Sequence, residues 1–220
     1  MLKKCLTIVG ICLFIAVCFS YGNCKAQEDA TQVGGWSHYK ALDDEAQKIF
    51  EEATNNLVGA KYTPFCVSGQ VVAGKNYCFL CLSTTVTPDP VEKNVYVEVF
   101  VGLDGKAGKP KFTELPPQPP IGGYSVYRPL TDKDKNLFQE ALKGYFGIGY
   151  TPFCVAVRGS VQGGNPKFFC EGKPVTLNSI PENDFVTVNA KDQTKPEILK
   201  EDKVSKKTFP YVLDTPKKDV

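Results

Sequence analysis

Histidine is nearly absent from this chain of 220 residues, in which His38 is the only one. Catalytic triads, histidine-rich metal centres and histidine proton shuttles each need an imidazole at a particular place. The composition therefore argues against most catalytic and metal chemistry and favours binding. We predict a protein that is not an enzyme and has no catalytic residue, no metal and no small-molecule cofactor.

The chain also lacks an excess of charge of either sign. Lys and Arg number 26 and Asp and Glu number 24, and removal of residues 1–26 takes away three lysines, which leaves 23 basic against 24 acidic residues. A chain so close to neutral lacks the excess of positive charge that is typical of nucleic-acid-binding proteins. Its 42% hydrophobic, 11% aromatic and 23% charged content is typical of a folded globular protein.

The N-terminus carries an uncharged apolar run over residues 6–19, preceded by two lysines. At about 14 residues this run is short for a membrane span and of the right length for a signal-peptide core. Small residues at Cys24 and Ala26 predict cleavage after Ala26, so residues 1–26 are the predicted signal peptide. We expect a secreted or periplasmic protein; a membrane-anchored lipoprotein is the alternative.

The rest of the chain is dominated by an internal repeat. The stretch GGWSHYKALDDEAQKIFEEATNNLVGAKYTPFCV from Gly34 matches GGYSVYRPLTDKDKNLFQEALKGYFGIGYTPFCV from Gly122, without a gap, and about half of the positions are identical. We predict two tandem domains, residues 27–115 and 122–220, joined by a proline-rich linker over 116–121. They are called the first repeat and the second repeat below.

Five cysteines remain after the predicted cleavage, and an exported chain meets an oxidising compartment in which they can pair. Cys66 matches Cys154 and Cys81 matches Cys170 across the repeat, which leaves Cys78 without a counterpart. Each matched pair brackets a glycine-containing turn. We therefore predict the disulfides Cys66–Cys81 and Cys154–Cys170, with Cys78 either a buried free thiol or part of an intermolecular bridge.

Cys78 and Cys81 also form a CxxC motif, for which a redox or zinc site is an alternative, with Cys66 and His38 as conceivable further ligands. A redox CxxC needs a helix N-terminus that lowers a thiol pKa, whereas this motif lies in an aromatic β-run. Its two cysteines, an odd number of residues apart, point to opposite faces of a strand. Both features count against thiol chemistry at this motif.

Apolar spacing predicts one helix in each repeat, over residues 43–56 and 131–144, with Asp43 as the N-cap of the first. Alternating apolar and β-branched residues predict the strands that follow, at 65–72, 77–85, 95–102 and 111–115, and at 153–157, 167–171 and 184–190. One helix followed by an antiparallel meander predicts an α+β fold: two tandem domains, each an antiparallel β-sheet wrapped around one α-helix.

The segment Gln70-Val71-Val72-Ala73-Gly74, followed by Lys75-Asn76-Tyr77 and a strand, resembles the Q-x-V-x-G first hairpin of the cystatins, and the intracellular stefins in particular. The context agrees, since a Gly-Gly pair, an amphipathic helix and a strand precede the motif, and a second turn follows it near Leu103. The resemblance covers essentially the whole first repeat and, more loosely, the second. It implies tandem cystatin-like domains.

The resemblance implies a reversible, competitive inhibitor of papain-like cysteine proteases, in which a glycine trunk and two hairpin turns fill the active-site cleft without being cleaved. We expect the inhibitor to be monomeric. Carried over by position, the protease-binding residues are Gly34 and Gly35 of the trunk, Gln70, Val71, Val72, Ala73 and Gly74 of the first turn, and Leu103, Asp104 and Gly105 of the second turn.

Two alternatives to this function remain open. A non-inhibitory cystatin-like protein-binding module would be favoured if the other repeat covered the Gln70–Gly74 motif and the trunk. An exported thiol protein would use Cys78 and Cys81. In the second repeat, residues 159–163 read GSVQG where the first has QVVAG, so we expect this repeat to inhibit weakly or not at all.

Overall fold

The structure is a computed structural model that describes residues 34–115, 123–158, 164–176, 178–190 and 196–204. The predicted signal peptide, the predicted linker 116–121 and residues 159–163 lie outside the described residues.

The first repeat forms helix α1 (Asp44–Thr54) and a four-stranded antiparallel sheet. Its strands are β1 (Ala60–Val72), β2 (Gly74–Thr85), β3 (Glu92–Val101) and β4 (Lys111–Glu114), in that spatial order. Ahead of the helix, Trp36 and Lys40 form isolated antiparallel bridges with Gln70 and Val67 of β1. The segment that carries the two trunk glycines therefore runs beside β1.

The second repeat has the same order of helix and meander, preceded by an additional two-residue strand, β5 (Arg128–Pro129); its helix is α2 (Asp132–Ala141). A meander follows, made of β6 (Ile148–Val157), β7 (Pro166–Pro174), β8 (Glu182–Asn189) and β9 (Glu197–Lys203). These strands form a five-stranded antiparallel sheet in the order β5-β6-β7-β8-β9.

Side-chain caps fix the start of both helices. The Asp43 side chain accepts a hydrogen bond from the backbone N–H of Ala46 at 2.8 Å, which confirms the predicted N-cap of α1. At α2, Thr131 and Asp134 form a reciprocal capping box. Neither described helix is long and apolar enough to cross a membrane.

The predicted α+β fold, with a sheet wrapped around a helix in each domain, is wrong. Strands make up about half of the described residues, and the two helices are only 11 and 10 residues long. Each helix buries three residues and contacts its sheet along one narrow stripe, so it cannot cover both sheet faces. The structure is mainly β, with two antiparallel sheets.

Burial along β3 explains the difference. Val95, Val97 and Val99 pack with α1, whereas Tyr96 points to the opposite face and is also buried. A sheet with one solvated face would expose that second set of side chains. Here the second faces of both sheets pack together around one shared core, which we call the inter-repeat cluster: Tyr39, Phe65, Cys66, Cys78, Leu80, Leu82, Tyr96, Tyr127, Phe153, Cys154, Ala156 and Phe169.

Two reciprocal pairs of hydrogen bonds join the repeats at this cluster. The Asn183 side chain accepts from the Tyr39 backbone N–H at 2.6 Å and donates to the Tyr39 carbonyl at 2.9 Å. The Asn94 side chain makes the same two bonds with Tyr127, at 2.7 and 2.8 Å. Each repeat thus supplies one asparagine and one tyrosine at equivalent positions, so the repeats are related by an approximate twofold axis.

Candidate functional site at one end of the first sheet

The structure brings together the three predicted protease-binding segments at one end of the first sheet. The trunk runs beside β1, and the backbone N–H of Gly34 donates to the Val71 carbonyl at 3.2 Å. The first turn joins β1 to β2, and the second turn follows β3. Since Lys75 pairs with Val101 in the β2–β3 ladder, the two turns lie next to each other.

Two side-chain amides fix the trunk against the first turn. The Gln70 Nε2 donates to the Gly34 carbonyl at 2.9 Å, and its Oε1 accepts from the Asn76 Nδ2 at 2.8 Å. Gln70 therefore serves the site by positioning the trunk. The motif indicated that Gln70 belongs to the site, but the part played by Asn76 was missed because it depends on the β1–β2 register.

The first turn is tight, since Val72 pairs with Gly74 and only Ala73 lies between them. Gly74 has φ +123°, and a Cβ placed there would lie 2.5 Å from the Val101 carbonyl oxygen. Glycine is needed for both reasons, the positive φ and the close approach of the neighbouring strand. The first turn therefore lies directly against the end of β3, after which the second turn begins.

The second turn is held by its own backbone. The N–H of Gly105 donates to the Gly102 carbonyl at 3.0 Å, and the N–H of Gly108 returns to Phe100 at 2.8 Å. The Asp104 side chain accepts from the Lys106 N–H at 3.2 Å. This leaves Leu103 at the tip, where 89% of it is exposed.

A polar cluster fastens the first turn to α1. The Tyr77 hydroxyl donates to Glu45 of the helix at 2.7 Å, and the Lys75 ammonium lies 3.8 Å from the same carboxylate and over the Tyr77 ring. Burial raises the pKa of Tyr77, and the hydrogen bond to Glu45 raises it further. The phenol therefore stays neutral and keeps its proton on the bond to the helix.

Apolar side chains project from this end without cover from the described residues of the second repeat. Val71 is 47% exposed and Val72 is 40% exposed, while Ala73 and Gly34 are also exposed. Isolated exposed valines are ordinary, but here they join Leu103 on adjacent turns. The arrangement is an exposed apolar edge on a base held by hydrogen bonds.

The structure brings together the members of neither predicted disulfide pair. All five thiols of the described residues are free and buried. The β1–β2 hairpin is centred on Ala73, half a residue earlier than the cysteine spacing implies, so Cys66 lies opposite Leu80, and a bulge between Pro64 and Cys66 places Cys81 opposite Pro64. A shift of one residue in the pairing moves a side chain to the opposite face of the sheet. Cys66 accordingly faces the inter-repeat cluster and Cys81 faces α1.

The second repeat shows the same displacement of its predicted pair. Cys154 lies opposite Phe169 and faces the inter-repeat cluster, whereas Cys170 faces α2. A bulge precedes each leading cysteine, after Pro64 and after Pro152.

The CxxC cysteines lie on opposite faces of β2, as their spacing predicts. Burial raises the pKa of the Cys78 thiol to about 12 and that of Cys81 well above its usual value, whereas a reactive thiol needs a lowered pKa. Across the described segments, no group of three or more His, Cys, Asp or Glu side chains is arranged to hold a metal ion.

No protein-family model matches this sequence, and no curated protein matches it either. The resemblance to cystatins thus depends on the motif and on the order of the segments around it.

Proposed function

We propose that the protein inhibits papain-like cysteine proteases reversibly, by inserting the trunk and both turns of the first repeat into the active-site cleft. The observation that carries the proposal is the adjacency of three segments that are far apart in the sequence. Gly34, the Gln70–Gly74 turn and the Leu103–Gly105 turn form one exposed edge. A resemblance confined to the motif would not require the other two segments to lie beside it.

Physical chemistry explains how such an edge would inhibit. The exposed side chains Val71, Val72 and Leu103 offer apolar area to the walls of a cleft. Hydrogen bonds already hold the trunk and the turns in place, so little conformational entropy is lost on binding. No covalent step is required of the inhibitor, and inhibition is therefore expected to be competitive and reversible.

The exposure of this edge also bears on the alternative of a non-inhibitory binding module. That alternative would be favoured by a motif and trunk covered by the second repeat, and the described residues of the second repeat leave Val71, Val72 and Gly34 exposed. The thiol-protein alternative gains no support from Cys78 and Cys81, which are fully buried on opposite sheet faces.

The direct test is a titration of papain with residues 27–220 and a chromogenic peptide substrate. The wild-type protein should raise the apparent KM without changing kcat. Val72→Asp places a charge on the exposed first turn and should weaken inhibition by roughly 100-fold or more. The matched control is Val86→Asp, since Val86 is 72% exposed just beyond the opposite end of β2 and should leave inhibition unchanged.

Two results would contradict the proposal, provided that circular dichroism shows folded proteins. One is the absence of inhibition by the wild type at micromolar concentration, which would move the binding-module alternative to first place. The other is equal inhibition by the two aspartate variants, which would place the inhibitory surface away from the first turn.

A further inference from the structure

Cys66 and Cys154 occupy equivalent positions in the two repeats, and both are completely buried. Cys66 lies in β1 and Cys154 in β6, and both belong to the inter-repeat cluster. These two thiols are thus on facing surfaces of the two sheets. The cluster contains one further thiol, that of Cys78.

The approximate twofold axis explains why both thiols lie where the two sheets pack together. The Asn94–Tyr127 and Asn183–Tyr39 hydrogen bonds are exchanged reciprocally, so equivalent elements meet across the axis. The equivalent strands β1 and β6 do meet, with Cα atoms within 8 Å of each other. Packed sheets are ordinarily about 10 Å apart, so the strands approach unusually closely here.

Small side chains permit this approach. Alongside the two cysteines, β1 has the buried Ser68 and β6 has the buried Ala156 at its equivalent position. Disulfides usually join residues whose Cα atoms are about 4.4–6.8 Å apart, a separation that lies inside the 8 Å within which Cα atoms of β1 and β6 meet.

The other three thiols are placed less favourably for pairing with Cys66. Cys81 and Cys170 face α1 and α2, on the far sides of their sheets. The Cys78 sulfur lies 3.3 Å from the Tyr39 hydroxyl, with which it shares a hydrogen bond. Burial raises the pKa of Cys66, and the Cys154 thiol raises it further.

We propose that Cys66 and Cys154 form a disulfide that joins the two repeats when the chain folds in oxidising surroundings. The oxidant is a low-molecular-weight disulfide such as oxidised glutathione. One cysteine thiolate attacks a sulfur of this disulfide, which breaks its S–S bond and releases one glutathione thiol. The second cysteine thiolate then attacks the mixed disulfide and releases the second glutathione thiol.

The reaction balances, since the two cysteines lose two electrons and two protons while one molecule of glutathione disulfide is reduced to two thiols. Because both cysteines are buried, the exchange takes place during folding or local opening. The bond would close a long loop through the centre of the inter-repeat cluster, so it should stabilise the folded chain against denaturant.

The test is to refold residues 27–220 in a glutathione redox buffer, block the free thiols with iodoacetamide and map the tryptic peptides. Trypsin places Cys66 in peptide 62–75 and Cys154 in peptide 144–158, while Cys78 and Cys81 share peptide 76–93. We expect 62–75 to be linked to 144–158, with the other three cysteines alkylated. The link should disappear on reduction.

Variants add a second measurement. The wild-type urea midpoint should be higher after oxidative than after reductive refolding, and Cys66→Ser should abolish this shift whereas Cys78→Ser should retain it. If Cys66→Ser does not fold, the wild-type peptide map still decides. A Cys66–Cys81, Cys154–Cys170 or Cys66–Cys78 link, or five alkylated thiols, would overturn the proposal. None of these results depends on protease inhibition.

Discussion

Replacing Asn94 by alanine measures how strongly the two repeats hold each other. Asn94 is buried in β3, and its side chain makes both of its hydrogen bonds with the backbone of Tyr127 in the other repeat. Tyr127 is itself buried, so its N–H and C=O groups cannot turn to water once the side-chain amide is removed. The loss therefore includes unsatisfied polar groups.

The magnitude follows from these contacts. A typical hydrogen bond contributes about 1 kcal/mol net, and each buried polar group left without a partner costs roughly 1–3 kcal/mol. Partial rehydration offsets some of this loss, so we expect Asn94→Ala to lower the free energy of unfolding by about 3 kcal/mol. For a protein of this size that corresponds to a fall in Tm of about 10 °C.

The repeat supplies a matched variant. Asn183 makes the equivalent bonds with Tyr39, so Asn183→Ala should cost a similar amount. The surface control is Asn55→Ala, which should change stability by less than about 0.5 kcal/mol because this side chain is exposed. Urea denaturation followed by tryptophan fluorescence and by circular dichroism provides the free energies. If either inter-repeat variant behaved like the Asn55 control, the reciprocal hydrogen bonds would not hold the repeats together.

Two further predictions concern a glycine and a buried carboxyl group. Gly74→Ala should lower the free energy of unfolding by about 2–4 kcal/mol, because the residue has φ +123° and its Cβ would lie 2.5 Å from the Val101 carbonyl oxygen. The control Gly105→Ala, at φ +75° with open space around it, should lower it by about 1 kcal/mol. Equal losses in urea denaturation would refute the steric argument. Burial raises the pKa of Asp184, so this group stabilises the folded state in acid and loses that contribution as the pH rises through its folded pKa. Asp184→Asn should therefore stabilise the protein at pH 7 and not below its unfolded pKa of about 3.9, and an equal effect at both pH values would contradict this assignment.

Local features were predictable from the sequence because they depend on neighbouring residues. Asp43 begins α1 because its side chain reaches the backbone three residues further on. Gly74 marks the first turn because no other residue tolerates its backbone geometry and surroundings. The internal repeat was also predictable, since its detection requires only a comparison of residue types at a fixed spacing.

The sheet faces of the cysteines were not predictable from their spacing. The cysteine spacing places the centre of the hairpin midway between Ala73 and Gly74, whereas the structure centres it on Ala73. The residue opposite Cys66 is therefore Leu80 and not Cys81. Because side chains alternate along a strand, that small shift moves the two thiols to opposite faces. The geometry of the turn sets the pairing register of the hairpin, and the spacing of the cysteines does not reveal that geometry.

The sequence by itself determined the helix caps, the strands, the duplication and the motif at the first turn. The tertiary structure decided what covers the second face of each sheet, because a short helix buries only one face and the other must find a partner elsewhere. It also decided the roles of Asn94 in β3 and Asn183 in β8. Their equivalence in the two repeats becomes visible only when these two strands are aligned. Their hydrogen-bond partners lie in the other repeat, and contacts between segments so far apart in the chain are set by packing.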